Sequence, residues 1–331
     1  MSLTSTSDGS APTGGPRTDE IAVPGSVANL GGGFDTLAVA VQLYLRLRIV
    51  ELRDDHGTRL TVVNSTPPVR GRNAVERAFE AIARHTGLRG PSVFVEAVSD
   101  IPITAGLGSS AAAAVAGLRL FERVTQPLPD GVLLAVAASL EGHGDNAAAA
   151  IHGGLTSVVE REGEEPIALR WRWPDELRLI VATPAVSLAT AKARAALADT
   201  VSRQDAVFNL QRVLSLVHLL QTGEYARLRE SVEDRWHQPA RAALVPQLST
   251  VLALDDPEVL GACLSGAGPS VAIFARRDFA RLEQLIASIY ERAGCPATVR
   301  TLAVHQPAVS ERSRQAETMA EAVVSGRGRT V

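Results

Sequence analysis

One short segment limits what this chain can fold into. Residues 102–112, PITAGLGSSAA, lie between a run typical of a β-strand and an alanine-rich run typical of a helix. Glycine lets the backbone turn tightly and approach a bulky anion without a clashing Cβ. The following helix presents unpaired N–H groups and the positive end of its dipole. The segment therefore predicts an anion site suited to a triphosphate. On this segment alone, an ordinary glycine turn with a serine N-cap is an equal alternative.

The basic residues restrict the kind of phosphate loop that this segment can form. Of the 33 Lys and Arg residues, Lys192 is the single lysine, and no Gly-Lys pair occurs. A Walker-type loop requires Gly-Lys followed by Ser or Thr, so that class is excluded. A bound phosphate must therefore be held by backbone amides, a helix N-terminus, hydroxyl groups and a metal ion.

Composition excludes several other classes of protein. A chain of 331 residues with 46% hydrophobic content can bury the core of two domains or of one large domain. The net charge of −3 gives no reason to expect a nucleic-acid partner, and no run of 18 apolar residues predicts a membrane span. Two cysteines, Cys263 and Cys295, are too few for a disulfide framework, so we expect reduced thiols in a cytoplasmic protein. The histidine spacing does not predict a zinc site.

Strand and helix patterns interleave along the chain. Residues 43–49 alternate with period 2, whereas Val75, Phe79 and Ile82 share one face of a predicted helix. Further predicted strands cover residues 20–24, 93–98, 153–160, 177–183 and 270–275. An alanine-rich helix is predicted after Ala111 to about residue 124, further helices cover residues 131–141 and 278–292, and helical sequence also runs from about 190 to 255. Within that last region, an amphipathic stripe is formed by Val207, Leu210, Leu214 and Val217.

These patterns predict an α+β fold of two lobes. We expect the lobes to cover residues 20–165 and 166–305. Residues 1–19 are rich in Ser, Thr, Gly and Pro and predict a flexible tail, and residues 306–331 predict a second mobile tail.

Four segments together resemble the ordered motifs of the GHMP kinases, the superfamily of galactokinase, homoserine kinase, mevalonate kinase and phosphomevalonate kinase. They are residues 23–37 (VPGSVANLGGGFDTL), the loop 102–112, residues 141–146 (EGHGDN) and residues 264–270 (LSGAGPS). The first and third are similar to the homoserine kinase branch. The resemblance implies an N-terminal lobe like ribosomal protein S5 domain 2 and a C-terminal α/β sandwich lobe, with the active site between them. It also implies transfer of phosphate from ATP to the hydroxyl of L-homoserine, on the route to threonine.

The resemblance assigns a nucleotide site to the glycine-serine loop. The loop residues expected to contact ATP are Pro102, Gly106, Leu107, Gly108, Ser109, Ser110 and Ala111. Ser110 and Glu141 match the positions that ligate Mg²⁺, and oxygen ligands suit that hard cation. Asn73 falls at the family's adenine-side asparagine, although a helix N-cap is the alternative role for that residue.

The acceptor site would combine residues from all parts of the chain. The expected set is Asn29, Asp35, His143, Asn146, Thr190, Arg194, Arg241 and Gly268. Asp35 can hold an α-ammonium group, and the two arginines can hold an α-carboxylate through parallel hydrogen bonds. For either arginine, a solvated helix face is the structural alternative.

The catalytic residues implied are Ser110, His143 and Asn146. Phosphoryl transfer depends on positioning and charge stabilisation more than on a strong base. We therefore expect the hydroxyl proton to pass to the transferred phosphate or to water, with His143 and Asn146 orienting the substrate. Asp145 is the competing candidate for a base.

Two other functions stay open at this stage. The chain could phosphorylate a mevalonate-type or sugar-type alcohol, or it could be a ligand-sensing homologue without turnover. Gly144, Ala38 and Gly25 depart from residues common in the homoserine kinase motifs, which affects substrate positioning rather than the phosphate loop. A homodimer is implied by the resemblance alone.

Overall fold

A computed structural model describes residues 20–69 and 73–306 of the chain. It confirms an α+β fold, with one sheet of six strands and a second sheet of four. The predicted tail 1–19 and all but Gln306 of the predicted tail 306–331 lie outside the described residues. None of the described helices is both long enough and apolar enough to cross a membrane.

The described strands and helices alternate along the chain. The strands are β1 (Glu20–Ala28), β2 (Leu37–Arg53), β3 (Arg59–Thr66), β4 (Ser92–Ser99), β5 (Leu155–Val159), β6 (Ile167–Trp171), β7 (Arg178–Pro184), β8 (Gly261–Leu264), β9 (Val271–Ala275) and β10 (Ala297–Leu302). The helices are α1 (Ala74–Thr86), α2 (Ser109–Val124), α3 (Asp130–Glu141), α4 (Asp145–His152), α5 (Thr190–Ala195), α6 (Arg203–Thr222), α7 (Leu228–Ser231), α8 (His237–Arg241), α9 (Leu248–Leu252) and α10 (Phe279–Arg292), with a 3-10 turn at Tyr225–Arg227.

The long strand β2 organises the first sheet. On one side, residues 38–48 of β2 pair with the whole of β1, and on the other side β2 pairs with β5 near its start and with β4 near its end. Its period-2 pattern is confirmed, since Leu43, Leu45 and Leu47 are buried. Helices α2 and α4 pack on β1 and β2, and α1 packs on α2 through the edge-to-face rings of Phe79 and Phe121, 5.2 Å apart. The start of α2 is therefore fixed beside the end of β1.

The second sheet is antiparallel, in the order β10-β7-β9-β8, and has its own apolar core against α10. Strand β6 pairs with β5 in the first sheet, so the change from one sheet to the other comes after Trp171 rather than at the predicted residue 165. After β10 the chain returns to the first sheet. There Val304 bridges Val41, and Gln306 exchanges hydrogen bonds with the backbone of Trp173.

Helix α6 exists where it was predicted, but its buried face is different. Val207, Leu210 and Leu214 of the predicted stripe are 46%, 64% and 73% exposed, whereas Leu216, Leu219 and Leu220 are buried. The apolar pattern identified the helix correctly, but it could not identify the covered face because α6 carries apolar residues on two sides.

Two leucines on α6 make a matched test of this orientation. Leu216→Ala removes a fully buried side chain, so we expect it to lower the free energy of unfolding by about 2–5 kcal/mol. Leu214→Ala removes an exposed side chain and should change it by less than about 0.5 kcal/mol. Urea denaturation of both variants would measure the difference, and equal losses would contradict the orientation.

Candidate active site

The loop of residues 102–112 is held by its carbonyl groups. The carbonyl oxygen of Ala105 accepts a hydrogen bond from Ser270 N at 3.1 Å, and that of Leu107 accepts one from Ser26 N at 3.0 Å. Between them, the Gly106 carbonyl accepts one from Ser265 Oγ at 2.6 Å. In a trans peptide the C=O and N–H bonds point in opposite directions. Three consecutive N–H groups, those of residues 106–108, therefore point away from these donors.

Two glycines are required where the loop touches its supports. Gly106 has φ +76°, and a Cβ there would lie 2.3 Å from the Ser265 carbonyl oxygen. Gly108 has φ +69°, and a Cβ there would lie 2.2 Å from Ser26 Oγ. Gly108 is also the residue before α2, and without a side chain it cannot cap the first N–H groups of that helix. Loop and helix N-terminus together form a cradle of backbone donors for an anion.

Ser110 and Glu141 meet beside this cradle. Ser110 Oγ donates a hydrogen bond to Glu141 Oε1 at 2.7 Å, which joins the first turn of α2 to the last residue of α3. A hydroxyl and a carboxylate oxygen next to a phosphate site are the hard donors that Mg²⁺ prefers. The pair therefore fits the predicted metal position.

One cleft gathers most of the predicted site residues. The predicted residues that line it are Asn29, Asp35, Gly106, Leu107, Gly108, Ser109, Ser110, Ala111, Glu141, His143, Asn146, Thr190, Arg194 and Arg241. Asp145, the competing candidate for a base, lines the same cleft, as do Phe34, Thr104, Gly266 and Ala267, to which no role was assigned. Segments more than 200 residues apart in the chain therefore share a single site.

Asn29 and Asn146 use their side chains to hold the cleft together. Asn29 Oδ1 accepts from Asp35 N at 3.2 Å, while its Nδ2 donates to the Gly266 carbonyl at 3.0 Å, so it ties the first motif to the fourth. Asn146 Oδ1 accepts from Ser26 Oγ at 2.7 Å, which ties the third motif to β1.

His143 and Asp145 form a close pair at the start of α4. His143 Nδ1 lies 2.6 Å from Asp145 Oδ1, and the same oxygen accepts from Asn146 N and Nδ2 at 2.8 and 3.2 Å. Burial alone would lower the pKa of His143, but the hydrogen bond and charge of Asp145, with the charge of Asp35, raise it overall. One oxygen of the buried Asp145 therefore serves three donors and anchors the neighbouring side chains.

Asp35 and Arg194 form an ion pair in the lining of the cleft. Both terminal nitrogens of the Arg194 guanidinium donate to the carboxylate oxygens of Asp35, at 2.7 and 2.9 Å. Arg194 lies on α5, and its guanidinium is 5.5 Å from the ring centre of Phe34. This is a bidentate ion pair whose two charges are both partly open to the cleft.

Arg241 is a buried cation at the same place. It is 1% exposed and donates to three neutral acceptors: the carbonyls of Ala193 and Gly266, at 3.1 Å each, and His237 Nδ1 at 3.3 Å. Within residues 20–69 and 73–306, no carboxylate forms an ion pair with it. Burial and the charge of Arg194 lower the pKa of Arg241, against the opposing charges of Asp35 and Asp234, yet arginine stays protonated at physiological pH. An unpaired buried charge is costly, so this arrangement indicates a site built for an anion.

Three predicted residues have other positions. Asn73 is the N-cap of α1, where its Oδ1 accepts from Glu76 N at 3.0 Å, as the structural alternative proposed. Pro102 lines a separate small cavity with Leu43 and Val181. Gly268 lies behind the loop, where its N–H donates to the Ser265 carbonyl at 2.9 Å.

The support of Gly106 can be tested against a matched glycine. Gly106→Ala adds a Cβ in the left-handed region and against the Ser265 carbonyl, so we expect a loss of about 2–5 kcal/mol in the free energy of unfolding. Gly87→Ala, at φ +69° with open space around its Cβ, should lose only about 1–2 kcal/mol from backbone strain. Denaturation of both variants measures the difference, and equal losses would show that the loop does not pack on Ser265.

The family comparisons agree with this geometry. Residues 73–154 match the GHMP kinases N terminal domain, and residues 216–294 match the GHMP kinases C terminal domain. The chain is 37% identical over 281 residues to homoserine kinase of Solibacter usitatus, covering 82% of this chain and 90% of that one. It is 35% identical to homoserine kinase of Moorella thermoacetica, covering 86% and 96% of the two chains.

A solved structure shows the same fold. The crystal structure of homoserine kinase from Cytophaga hutchinsonii superposes with a TM-score of 0.75 at 25% identity, over 89% of this chain and 98% of that one. Sequence motifs, cleft geometry and relatives agree, and the chain belongs to the GHMP kinase family, in its homoserine kinase branch.

Proposed function

We propose that this protein transfers the γ-phosphoryl group of ATP to the side-chain hydroxyl of L-homoserine. The observation that carries the proposal is that Arg241 is buried and forms no ion pair with a carboxylate of the described residues. It lies with the Asp35–Arg194 pair in the cleft that the phosphate loop also lines. The anion cradle and the charged acceptor site therefore open into one space. The homoserine kinases among the relatives support the same reaction.

The charges at the acceptor end match an amino acid. Asp35 offers a carboxylate to an α-ammonium group, while Arg194 and Arg241 offer guanidinium groups to an α-carboxylate. A bound zwitterion can replace the Asp35–Arg194 pair by giving each partner a new counter-charge. A carboxylate without an ammonium group would leave Asp35 unpaired, and a sugar would satisfy neither side. These charges favour homoserine over a mevalonate-type or sugar-type alcohol.

The nucleotide side depends on main-chain groups. The N–H groups of residues 106–108 and the start of α2 would hold the phosphates, because no lysine lies on this loop. Ser110 and Glu141 would hold Mg²⁺, which supplies charge neutralisation for the phosphates when bound.

The proposed reaction uses no side-chain base. Asn146 carries an amide, which does not take up a proton at neutral pH, and Asp145 Oδ1 already accepts three hydrogen bonds. The homoserine hydroxyl oxygen forms the new bond to the γ-phosphorus as the bond to the ADP oxygen breaks, and its proton leaves to the transferred phosphate or to water. Each well-placed donor on the phosphates lowers the barrier by about 3 kcal/mol.

The direct test is a coupled assay of ADP formation. We expect formation of ADP that requires both Mg²⁺ and homoserine, with far lower rates for mevalonate, galactose, serine and threonine. Intact protein that binds ATP but produces no ADP with homoserine would overturn the proposal. A cytoplasmic location, a homodimer and a role in threonine biosynthesis stay predictions that accompany this function.

Substitution of Arg194 distinguishes binding of the acceptor from binding of ATP. Because a hydrogen bond to a charged group contributes about 1.5–3 kcal/mol, Arg194→Ala should raise the KM for homoserine about 10- to 150-fold. The KM for ATP should change by less than about threefold, since Arg194 contacts the acceptor end only. Arg277→Ala is the matched control, because Arg277 forms a similar bidentate pair with Glu258 far from the cleft. An equal rise in both KM values would contradict the carboxylate assignment.

Glu141 tests the metal position. Glu141→Gln keeps the hydrogen-bonding shape but removes the charge, so we expect kcat to fall about 100-fold. The Mg²⁺ concentration required for half-maximal rate should rise as well. Glu162→Gln, an exposed substitution of the same kind in the loop between β5 and β6, serves as the control. An unchanged Mg²⁺ requirement in Glu141→Gln would remove Glu141 from the metal site.

A further inference from the structure

His237 is a fully buried histidine that lies between two parts of the acceptor site. It is the first residue of α8, and its ring is 0% exposed. Its Nε2 lies 2.8 Å from the carbonyl oxygen of Gly31, in the turn of the first motif. Its Nδ1 lies 3.3 Å from a guanidinium nitrogen of Arg241, one helical turn along the same helix. The ring therefore connects the first motif to the buried cation.

These two contacts fix the protonation state of the ring. A carbonyl oxygen can only accept, so Nε2 must carry the hydrogen. A guanidinium group can only donate, so Nδ1 must be the unprotonated acceptor. The neutral tautomer with its proton on Nε2 satisfies both contacts, whereas a protonated ring would point an N–H at the Arg241 cation.

The charged groups around His237 come from three segments. Asp234 Oδ2 lies 3.5 Å from Nε2, but the Asp234 carboxylate already accepts from Asn209 Nδ2, Trp236 N and Gln238 N at 2.7, 2.9 and 2.6 Å. Asp35 belongs to the first motif, and Arg241 lies on α8 itself. Burial lowers the pKa of His237, and the charge of Arg241 lowers it further, against the opposing effects of Asp234, the Gly31 carbonyl and Asp35. The net shift is downward from the ordinary value of 6.5, which favours the neutral ring.

Arg241 is held from three sides, and His237 supplies one of them. The Ala193 carbonyl holds Nε, and the Gly266 carbonyl and His237 share one terminal nitrogen. The second terminal nitrogen of the Arg241 guanidinium is therefore the one available to an anion in the cleft. Without the His237 contact, the Gly266 carbonyl alone would hold that terminal nitrogen, and the Phe34 ring, 5.3 Å away, adds only a weak non-directional contact. The free edge of the guanidinium would then be aimed less precisely.

We propose that His237 is a positioning residue for the acceptor: its neutral ring accepts a hydrogen bond from Arg241 and so aims the free edge of that guanidinium at the α-carboxylate. It does not contact the reacting atoms. This inference rests on the proposed function, since it assigns to the proposed anion contact, Arg241, the residue that orients it.

Two substitutions of His237 separate this role from simple packing. Glutamine can donate to the Gly31 carbonyl and accept from Arg241, whereas leucine can do neither. We expect His237→Leu to raise the KM for homoserine about tenfold or more, with the KM for ATP and kcat changed by less than about threefold. His237→Gln should restore the homoserine KM to within about threefold of the unsubstituted protein. His218→Leu, at an exposed histidine on α6, is the control.

The pH profile supplies a second readout that does not depend on the leucine variant folding. In the unsubstituted protein, the KM for homoserine should rise as the pH falls below 6.5 through the lowered pKa of His237. The unfolded chain takes up this proton at the ordinary value whereas the folded chain does not, so the free energy of unfolding should also fall as the pH drops below 6.5. His237→Gln should lack both components, and the difference between the two proteins isolates them from other titrating groups.

The outcomes decide between distinct conclusions. Three results together support the positioning role. The KM for homoserine rises selectively in His237→Leu, it is restored in His237→Gln, and in His237→Gln it no longer rises as the pH falls below 6.5. Equal rises in the KM for homoserine and the KM for ATP in His237→Leu would overturn it. So would a rise in homoserine KM at acid pH that is the same in His237→Gln as in the unsubstituted protein. Absence of homoserine-dependent ADP formation in the unsubstituted protein would instead overturn the proposed function, so the two failures are distinguishable.

Discussion

The site depends on the hydrogen bonds that three carbonyl groups of the loop 102–112 accept from serines of the surrounding structure. Ser26, Ser265 and Ser270 each hold one carbonyl, and the planar trans peptide turns the following N–H the other way. The loop thereby becomes a fixed array of donors before any ligand arrives, which removes the cost of ordering it on binding. In the proposed nucleotide complex, this preorganised backbone would bind the phosphates that a lysine ammonium group binds in a Walker loop.

The same hydrogen bonds join the two sheets. Ser26 lies on β1 of the first sheet, whereas Ser265 and Ser270 flank the turn between β8 and β9 of the second. That turn also supplies the Gly266 carbonyl, which accepts from both Asn29 and Arg241. Phosphate cradle and acceptor site are therefore positioned against one common element. This shared support fixes the distance between them, as in-line phosphoryl transfer requires.

How far the sequence could predict this arrangement depends on the range of the interaction. Short contiguous motifs were enough to predict four of the cleft residues, Gly106, Gly108, Ser110 and Glu141. The turn from strand to helix was likewise predicted from the local sequence pattern. Strands β3, β6, β8 and β10 were missed. Mixed burial weakens the alternating signal of β3, β6 and β10, and the fully buried β8 has only four residues, too few to show a period. The covered face of α6 was missed because tertiary packing, and not periodicity, chooses between two apolar faces. Phe34 and His237 were missed for a related reason: Phe34 contacts the distant Arg241 and His237 contacts the distant Gly31, although Phe34 itself lies inside the first motif.

The burial of Arg241 explains why the acceptor site is built from arginine in particular. A buried lysine can escape the cost of burial by releasing its proton, whereas arginine keeps its charge and must be stabilised by its surroundings. Here that stabilisation comes from two carbonyls, a neutral imidazole and the Phe34 ring, all of them uncharged. A carboxylate partner within the protein would have neutralised the cation and removed the reason for a ligand to bind. No carboxylate within the described residues forms an ion pair with Arg241: Asp35 pairs with Arg194, and the buried Asp234 accepts its hydrogen bonds from Asn209, Trp236 and Gln238. In the proposed complex, the α-carboxylate of an amino acid would be the direct counter-charge of Arg241, and its ammonium group would lie against Asp35.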